Sequence, residues 1–344
     1  MSAAKVVTFG EIMLRLSPPG FERFLQTPQF VATFGGGEAN VAVSLAQFGL
    51  ESYYVTRLPK HDIGEAAVRA LRTEGVRTDY ILRGGDRIGI YYAETGASQR
   101  PSTVIYDRAR SAISEMEPDA VDWKTVFAGA AWYHVTGITP AVGDKGTAAT
   151  ARSLEAAKSA GVRVSVDLNF RKKLWTEKRA QEVMGPLMRY VDVVIANEED
   201  LQSVLGVHVP DTDVTSGQLN IDGFRHAAEQ VTRDFGPQMV AITLRESVSA
   251  SDNGWSAVLW EASAKTMHRS QRYDVRLVDR IGGGDSFAGG LIYGLVTGRG
   301  PEAALRFAVA ASALKQTIPG DFNRSTVAEI DRLAAGDASG RVQR

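Results

Sequence analysis

The segment Asp279-Arg280-Ile281-Gly282-Gly283-Gly284-Asp285-Ser286-Phe287 sets three glycines directly ahead of a helical pattern in which Phe287, Leu291 and Leu295 share one face. Glycine lets bare backbone approach a ligand, and the first N–H groups of a helix have no partner inside it. Together they make a pocket for an anion such as a phosphoryl group. Asp285 adds a carboxylate at the same place. An acid beside an anion pocket suits phosphoryl transfer, where a hydroxyl loses its proton as charge builds on the phosphoryl oxygens. The positive helix end predicts a lowered pKa for Asp285, which would then accept the proton late. A glycine-rich turn closed by an N-capping aspartate fits the same spacing.

A second run, Gly35-Gly36-Gly37-Glu38-Ala39-Asn40, leads into a helix with Val41, Leu45 and Phe48 on one face and a stop at Gly49. Its glycines could admit a polyhydroxylated ligand that Asn40 hydrogen-bonds; a plain turn is the other reading. Asp167-Leu168-Asn169-Phe170-Arg171 follows a buried strand, whose alternation would point Asp167, Asn169 and Arg171 the same way. Arg171 could clamp a phosphate or carboxylate, or belong with Lys172 and Lys173 to a solvated basic face. Asn197-Glu198-Glu199-Asp200 also begins at a strand end, where it could cap the next helix.

Gly36, Gly37 and Asn40 match the Gly-Gly-x-x-x-Asn signature of the PfkB (ribokinase-like) sugar kinases. Asp279, Gly282, Gly284, Asp285, Phe287 and Gly290 match that family's second signature, Asp-x-x-Gly-x-Gly-Asp-x-Phe-x-x-Gly. Both occur in the family's order, and the chain therefore resembles that family. The resemblance implies an α/β fold, a doubly wound, mostly parallel sheet flanked by helices with a small β lid. It makes Asp285 the base, Gly282, Gly283 and Gly284 the anion hole, and Gly36, Gly37 and Asn40 the sugar ligands. The run from Asp167 to Trp175 is similar to family members acting on ketoses and keto-sugar acids, which sets Asp167 and Asn169 beside substrate and Arg171 at the phosphate. Nucleotide contacts are implied for Asn197, Thr243, Arg245, Gly282, Gly284 and Asn323, with Arg245 standing where many relatives carry glycine. Asp200, helped by Glu199, takes the place of the family glutamate that holds Mg²⁺ through water.

Gly89 to Thr95 and Ser102 to Arg108 alternate as strands around Gly96-Ala97, and Phe24 to Phe34 reads as extended and partly exposed. Segments of about 11–34 and 88–110 are the expected lid, closing over substrate and excluding water. Tyr91, Tyr92, Tyr106 and Arg108 there offer hydroxyl partners and a cation, as a sugar carboxylate requires. The expected activity is transfer from ATP, with Mg²⁺, to the primary hydroxyl of a keto-sugar acid, 2-keto-3-deoxygluconate first. Alternatives are the galactonate epimer, a neutral sugar such as fructose or ribose, or a silent sugar-binding regulator on the same fold. A homo-oligomer formed through the lid is also implied; whether a monovalent cation is needed stays open.

The 344 residues admit two average domains or one large α/β domain, and the resemblance favours one over 1–334 with a flexible tail over 335–344. A net charge of −1 gives no electrostatic case for nucleic acid or an anionic membrane. The absence of cysteine removes disulfides and thiolate sites. No signal-like or long apolar stretch appears, so a cytoplasmic setting is expected. The five histidines are scattered without metal-ligand spacing. From Trp132 onward, strand and helix patterns alternate, which predicts a parallel sheet with ligands beyond the carboxyl ends of its strands. Asp252-Asn253-Gly254 reads as a hairpin turn and Gly206 to Gly223 as a polar surface loop. No P-loop and no Gly-x-Gly-x-x-Gly is present, which counts against the P-loop kinases and a dinucleotide fold.

Overall fold

The computed structural model describes residues 3–209, 220–338 and 340. Its strands begin with β1 (Lys5–Phe9), β2 (Met13–Ser17), β3 (Val31–Gly35), β4 (Glu51–Leu58), β5 (Ile81–Arg83), β6 (Gly89–Glu94) and β7 (Thr103–Asp107). There follow β8 (Ala130–Thr136), β9 (Arg163–Asp167), β10 (Val193–Ala196), β11 (Met239–Ser247), β12 (Asp252–Glu261), β13 (Thr266–Arg269) and β14 (Tyr273–Arg276). The helices are α1 (Gly37–Gln47), α2 (Asp62–Thr73), α3 (Trp123–Phe127), α4 (Ile138–Ala141), α5 (Asp144–Ser159) and α6 (Glu177–Leu187). The rest are α7 (Glu198–Leu205), α8 (Ile221–Phe235), α9 (Gly283–Val296), α10 (Pro301–Lys315) and α11 (Val327–Ala334).

The main sheet runs β13-β12-β11-β10-β9-β8-β1-β4-β5, with β14 also on β12. Pairing is parallel from β11 through to β5 and antiparallel around β12. A parallel sheet is covered on both faces, so its strands carry aliphatic residues at successive positions. Val7, Val194, Val240 and Ile242 enter one core with Leu154 of α5, Val183 of α6, Val204 of α7 and Phe224 of α8. Their neighbours Val6, Val193, Ile195 and Ala241 enter the other with Leu45 of α1, Leu291 of α9 and Leu305 of α10. The two-residue period thus builds both layers of a doubly wound fold. A Cβ on Gly290 would sit 2.8 Å from the Ala308 Cα, so glycine is what lets α9 and α10 approach closely.

A separate four-stranded sheet, β3-β2-β6-β7, stands over the carboxyl-end side as the lid. Its β6–β7 hairpin is the one expected, with Tyr91 opposite Tyr106. The Phe24 to Phe34 stretch is extended only from Val31, because the Gln26 and Thr27 amides turn back onto the Arg23 carbonyl. Asp252-Asn253-Gly254 is not a turn. Asn253 and Gly254 pair with β11 on one side and β14 on the other, Asp252 pairs with β14, and the reversal falls at Ser249 to Ser251, where the Ser249 hydroxyl accepts the Ser251 and Asp252 amides. Pairing on both edges overrides the local turn chemistry. Of the expected Gly206 to Gly223 loop, Gly206 ends α7 in the left-handed region and α8 already begins at Ile221; residues 210–219 lie outside the described residues. The tail expectation for 335–344 falls partly outside them as well. Among the described residues, no helix is long and apolar enough to cross a membrane.

Candidate active site

Gly282 starts the site. Its φ of 83 lies in the left-handed region, and a Cβ there would fall 2.1 Å from the Asp321 carbonyl oxygen, so two constraints demand glycine. Helix α9 begins immediately after it, and its early amides have no partner within the helix. The Gly283 amide reaches the Arg280 carbonyl at 3.3 Å, which leaves the Gly284 and Asp285 amides as the first donors for an anion. A Cβ on Gly284 would meet nothing within 4 Å, so this glycine faces open space.

The two glycine runs converge on Asp285. Asn40 Nδ2 donates to Asp285 Oδ2 at 2.6 Å across a sequence separation of 245. The Gly36 amide donates to Asn40 Oδ1 at 3.2 Å, which fixes the amide's orientation. Gly37 lies over the same carboxylate, since its Cβ would come 3.7 Å from Asp285 Oδ1. The expected lowering of the Asp285 pKa is overturned. Burial raises it to about 6, the Asn40 hydrogen bond opposes, Asp321 adds, Arg171 opposes and Glu38 adds. Desolvation outweighs the helix end because the group is buried.

On the neighbouring strand end, β9 stops at Asp167, and Asn169 takes a φ of 37, so the alternation expected to align Asp167, Asn169 and Arg171 does not continue. Asp167 is nonetheless buried beside Asp200 and Asp285, and burial followed by those two charges pushes its pKa well up. Arg171 is exposed, forms no ion pair among the described residues, and lowers the pKa of Asp167, Asp200 and Asp285 through space. It is the cation facing this group of acids.

Asp200 is built first as a structural residue. Its Oδ1 accepts the Phe170 amide at 2.8 Å and its Oδ2 the Asn197 amide at 3.2 Å, while Asn197 Oδ1 accepts the Asp200 amide at 2.8 Å. This capping box opens α7. Burial raises the Asp200 pKa to about 6. Asn197 keeps its Nδ2 for a ligand, and Glu199 is exposed at the helix start. Carboxylate oxygens are a donor set that suits Mg²⁺ held through water. Among the described residues no three acids or histidines gather as a metal site, so phosphate oxygens would have to complete the ion's shell.

The remaining nucleotide residues divide. Thr243 and Arg245 lie on β11 beside β10; Arg245 is exposed and acts electrostatically on Glu198 and Arg280. Asn323 is a correction: it is 1% exposed, donates to Ser286 Oγ at 2.7 Å and accepts the Ser325 amide at 2.8 Å. With both polar ends used, it braces the C-terminal segment against α9.

The lid residues divide by strand alternation. Tyr91 stacks on Tyr106 at 6.0 Å, and Arg108 lies over Tyr106 at 5.5 Å, so these three share one face. Tyr92 points to the other, where Phe24 and Phe30 meet it edge-on; the expectation that it joins them at a ligand is overturned. Arg108 is not an unpaired cation: Nε and Nη2 both donate to Glu11 Oε2, with the Nε contact at 2.8 Å. Its Nη1 remains for an anionic ligand. The Tyr91 hydroxyl donates to Asp321 Oδ2 at 2.5 Å, and Arg15 bridges Asp321 and Asp279 at 2.8 and 2.7 Å. The lid is thereby wired to the loop that carries Asp285.

Glu11, Arg15, Glu38 and Asp321 were not singled out from their spacing. Glu38 Oε1 accepts the Thr136 amide, the Thr136 hydroxyl and the Thr139 hydroxyl at 2.9, 2.8 and 2.6 Å, tying the start of α1 to the end of β8. A charged residue between Gly37 and Asn40, at the head of an apolar helix, was the available signal. The depression lined by Gly49, Glu51, Arg72, Arg77 and Asp79 precedes β4, at the opposite, amino end of the strands.

The pfkB family carbohydrate kinase model matches residues 3–325. A 2-dehydro-3-deoxygalactonokinase of Haloferax volcanii is 34% identical over 341 residues, 98% of each chain. A 2-dehydro-3-deoxygluconokinase of Thermoproteus tenax is 28% identical over 92% of this chain and 89% of its own. The crystal structure of a 2-dehydro-3-deoxygluconokinase from Thermotoga maritima superposes with a TM-score of 0.93 at 52% identity, covering 97% of this chain and all of that one (100%). The fold is therefore ribokinase-like, and the chain belongs to the pfkB family of carbohydrate kinases.

Proposed function

We propose that this kinase transfers the γ-phosphoryl group of ATP to the primary hydroxyl of 2-keto-3-deoxygluconate, the 2-dehydro-3-deoxygluconate of its relatives' names. The observation that carries the reading is the 2.6 Å contact between Asn40 and Asp285, which brings sugar-side and phosphate-side loops to one carboxylate. Asp285 is the base: a pKa near 6 leaves it ionised at neutral pH yet basic enough to take the hydroxyl proton. The acceptor oxygen forms its bond to the γ-phosphorus, the bond to the ADP oxygen breaks, and the proton rests on an Asp285 oxygen. The Gly284 and Asp285 amides and the Arg171 guanidinium receive the charge on the phosphoryl oxygens. Mg²⁺, when bound, neutralises the nucleotide phosphates; Asp200 and Glu199 would hold its waters. Asn197, Thr243 and Arg245 line the nucleotide side.

Tyr91, Tyr106 and Arg108 hold the acid end of the sugar, with Asp167, Asn169, Gly36 and Gly37 on its hydroxyls. The galactonate epimer is the second reading, favoured by the name of the 34% identical relative. Phe21, Val31 and Ile105 expose about half of their surface on the lid, which supports a homo-oligomer formed there. ATP as donor supports a cytoplasmic setting.

The test is coupled ADP release with ATP and Mg²⁺ across 2-keto-3-deoxygluconate, its galactonate epimer, fructose and ribose. The reading expects kcat/KM for 2-keto-3-deoxygluconate to exceed the neutral sugars by about 100-fold or more. Preference for a neutral sugar would refute the substrate, and binding without turnover would favour a silent regulator.

A further inference from the structure

Lys315, the last residue of α10, is 0% exposed, and the chemistry above makes no use of it. Its ammonium donates to the Asp279 carbonyl at 3.1 Å and to the Ile281 carbonyl, both in the loop that leads into Gly282. Its Cε lies 3.2 Å from the place of a Cβ on Gly282. The same end of α10 straps the loop twice more. The Gln316 carbonyl accepts the Val278 and Asp279 amides at 2.9 and 3.2 Å, and the Ser312 hydroxyl donates to the Gly283 carbonyl at 2.7 Å.

In a planar trans peptide the C=O and the following N–H point in opposite directions. An ammonium that holds the Ile281 carbonyl therefore turns the Gly282 amide away from itself and fixes the peptide that leads into the Gly284 and Asp285 amides. The ammonium sits among Asp279, Asp321 and Asp285, with Arg15 the opposing cation. Without it, the Asp279 and Ile281 carbonyls would face the carboxylates of Asp279 and Asp321 with Arg15 as the cation between them. Such a cage is what a monovalent cation from solution would otherwise fill.

We propose that Lys315 is the positioning residue of the anion-hole loop, a tethered cation in the carbonyl cage beneath it, so that turnover needs no monovalent cation from solution. This rests on the kinase reading, and its test is arranged so that the two fail separately. Wild-type turnover should be the same within about twofold in tetramethylammonium, potassium and ammonium chlorides at matched ionic strength. Stimulation of the wild type by potassium or ammonium of more than about 10-fold would overturn the proposal.

Lys315→Ala opens the cage. Its kcat should fall about 100-fold, with ammonium restoring at least about 10-fold of the loss. A variant with wild-type kcat, or one that folds but answers to no cation, would overturn the proposal. Thermal melting gives a readout without substrate: ammonium should raise the melting temperature of Lys315→Ala relative to tetramethylammonium and leave the wild type unmoved. Equal responses would count against Lys315 even if no acceptor in the panel were phosphorylated. Absence of wild-type turnover alone would count against the substrate reading instead.

Discussion

Replacing Asp285 with asparagine separates what its carboxylate does for activity from what it costs the fold. Asp285 is buried, with a pKa of about 6 against an ordinary 3.8. That difference corresponds to on the order of 3 kcal/mol between the two protonation states. The sign follows from linkage: a carboxyl whose folded pKa is raised binds its proton more tightly when folded. Its penalty is absent below 3.8, grows as pH rises towards 6, and is complete above 6. Asp285→Asn removes the charge and keeps the shape, and an amide can still present its oxygen to Asn40 Nδ2. The variant should therefore melt a few degrees above the wild type at pH 7.5, with the gap closing at low pH. Its kcat should fall by about 10²- to 10⁴-fold, the usual contribution of a positioned base. With Asp285 as base, the wild-type kcat/KM should climb with pH up to about 6 and be flat above it. The assays are differential scanning calorimetry across pH and ADP release at saturating ATP. A variant that retained more than about a tenth of kcat would refute Asp285 as base. One that melted lower at pH 7.5 would refute the burial argument.

Asn40→Ala removes the hydrogen bond that opposes the raised pKa of Asp285, so the acid limb of the pH profile should move upward while turnover falls; an unmoved limb would deny the coupling. Gly284→Ala should fold and melt like the wild type yet lose activity about 100-fold, because the new methyl fills the open space where we propose that the phosphoryl group sits. Gly282→Ala should instead lower stability by about 2 kcal/mol or more, from positive φ and the clash with Asp321, as chemical denaturation would read. Arg108→Gln should cut kcat/KM for a keto-acid by about 10- to 100-fold and leave neutral sugars within about threefold, since it removes a cation while Glu11 keeps the Ser111 hydroxyl. Equal losses for both classes would show that Arg108 does not read the carboxylate.

The fold and the central pair of loops were legible because their signals are local. Glycines before an amphipathic run mark a helix start, and alternating strand and helix patterns mark a doubly wound sheet, whatever the partners are. The pKa of Asp285 was misjudged because desolvation depends on everything that covers a group, and Asn40, Glu38 and Asp321 come from distant parts of the chain. The pairing of Arg108 with Glu11, 97 residues away, is hidden for the same reason. Asp252 to Gly254 carried strong turn chemistry, but strands on both sides claimed it, a contest no local window displays. Tyr92 is a different lesson. It adjoins Tyr91 on a strand, so alternation alone already placed the two on opposite faces. Lys315 ends α10, and only packing reveals it as a buried ammonium under the loop that leads into Gly282.

The most direct test of the central claim is phosphorus NMR of the protein with ATP, Mg²⁺ and 2-keto-3-deoxygluconate. The account predicts a new phosphomonoester resonance, coupled to the protons of the sugar's terminal CH₂, that grows in step with ADP. ADP accompanied only by inorganic phosphate, or a phosphate ester on a secondary hydroxyl, would contradict it.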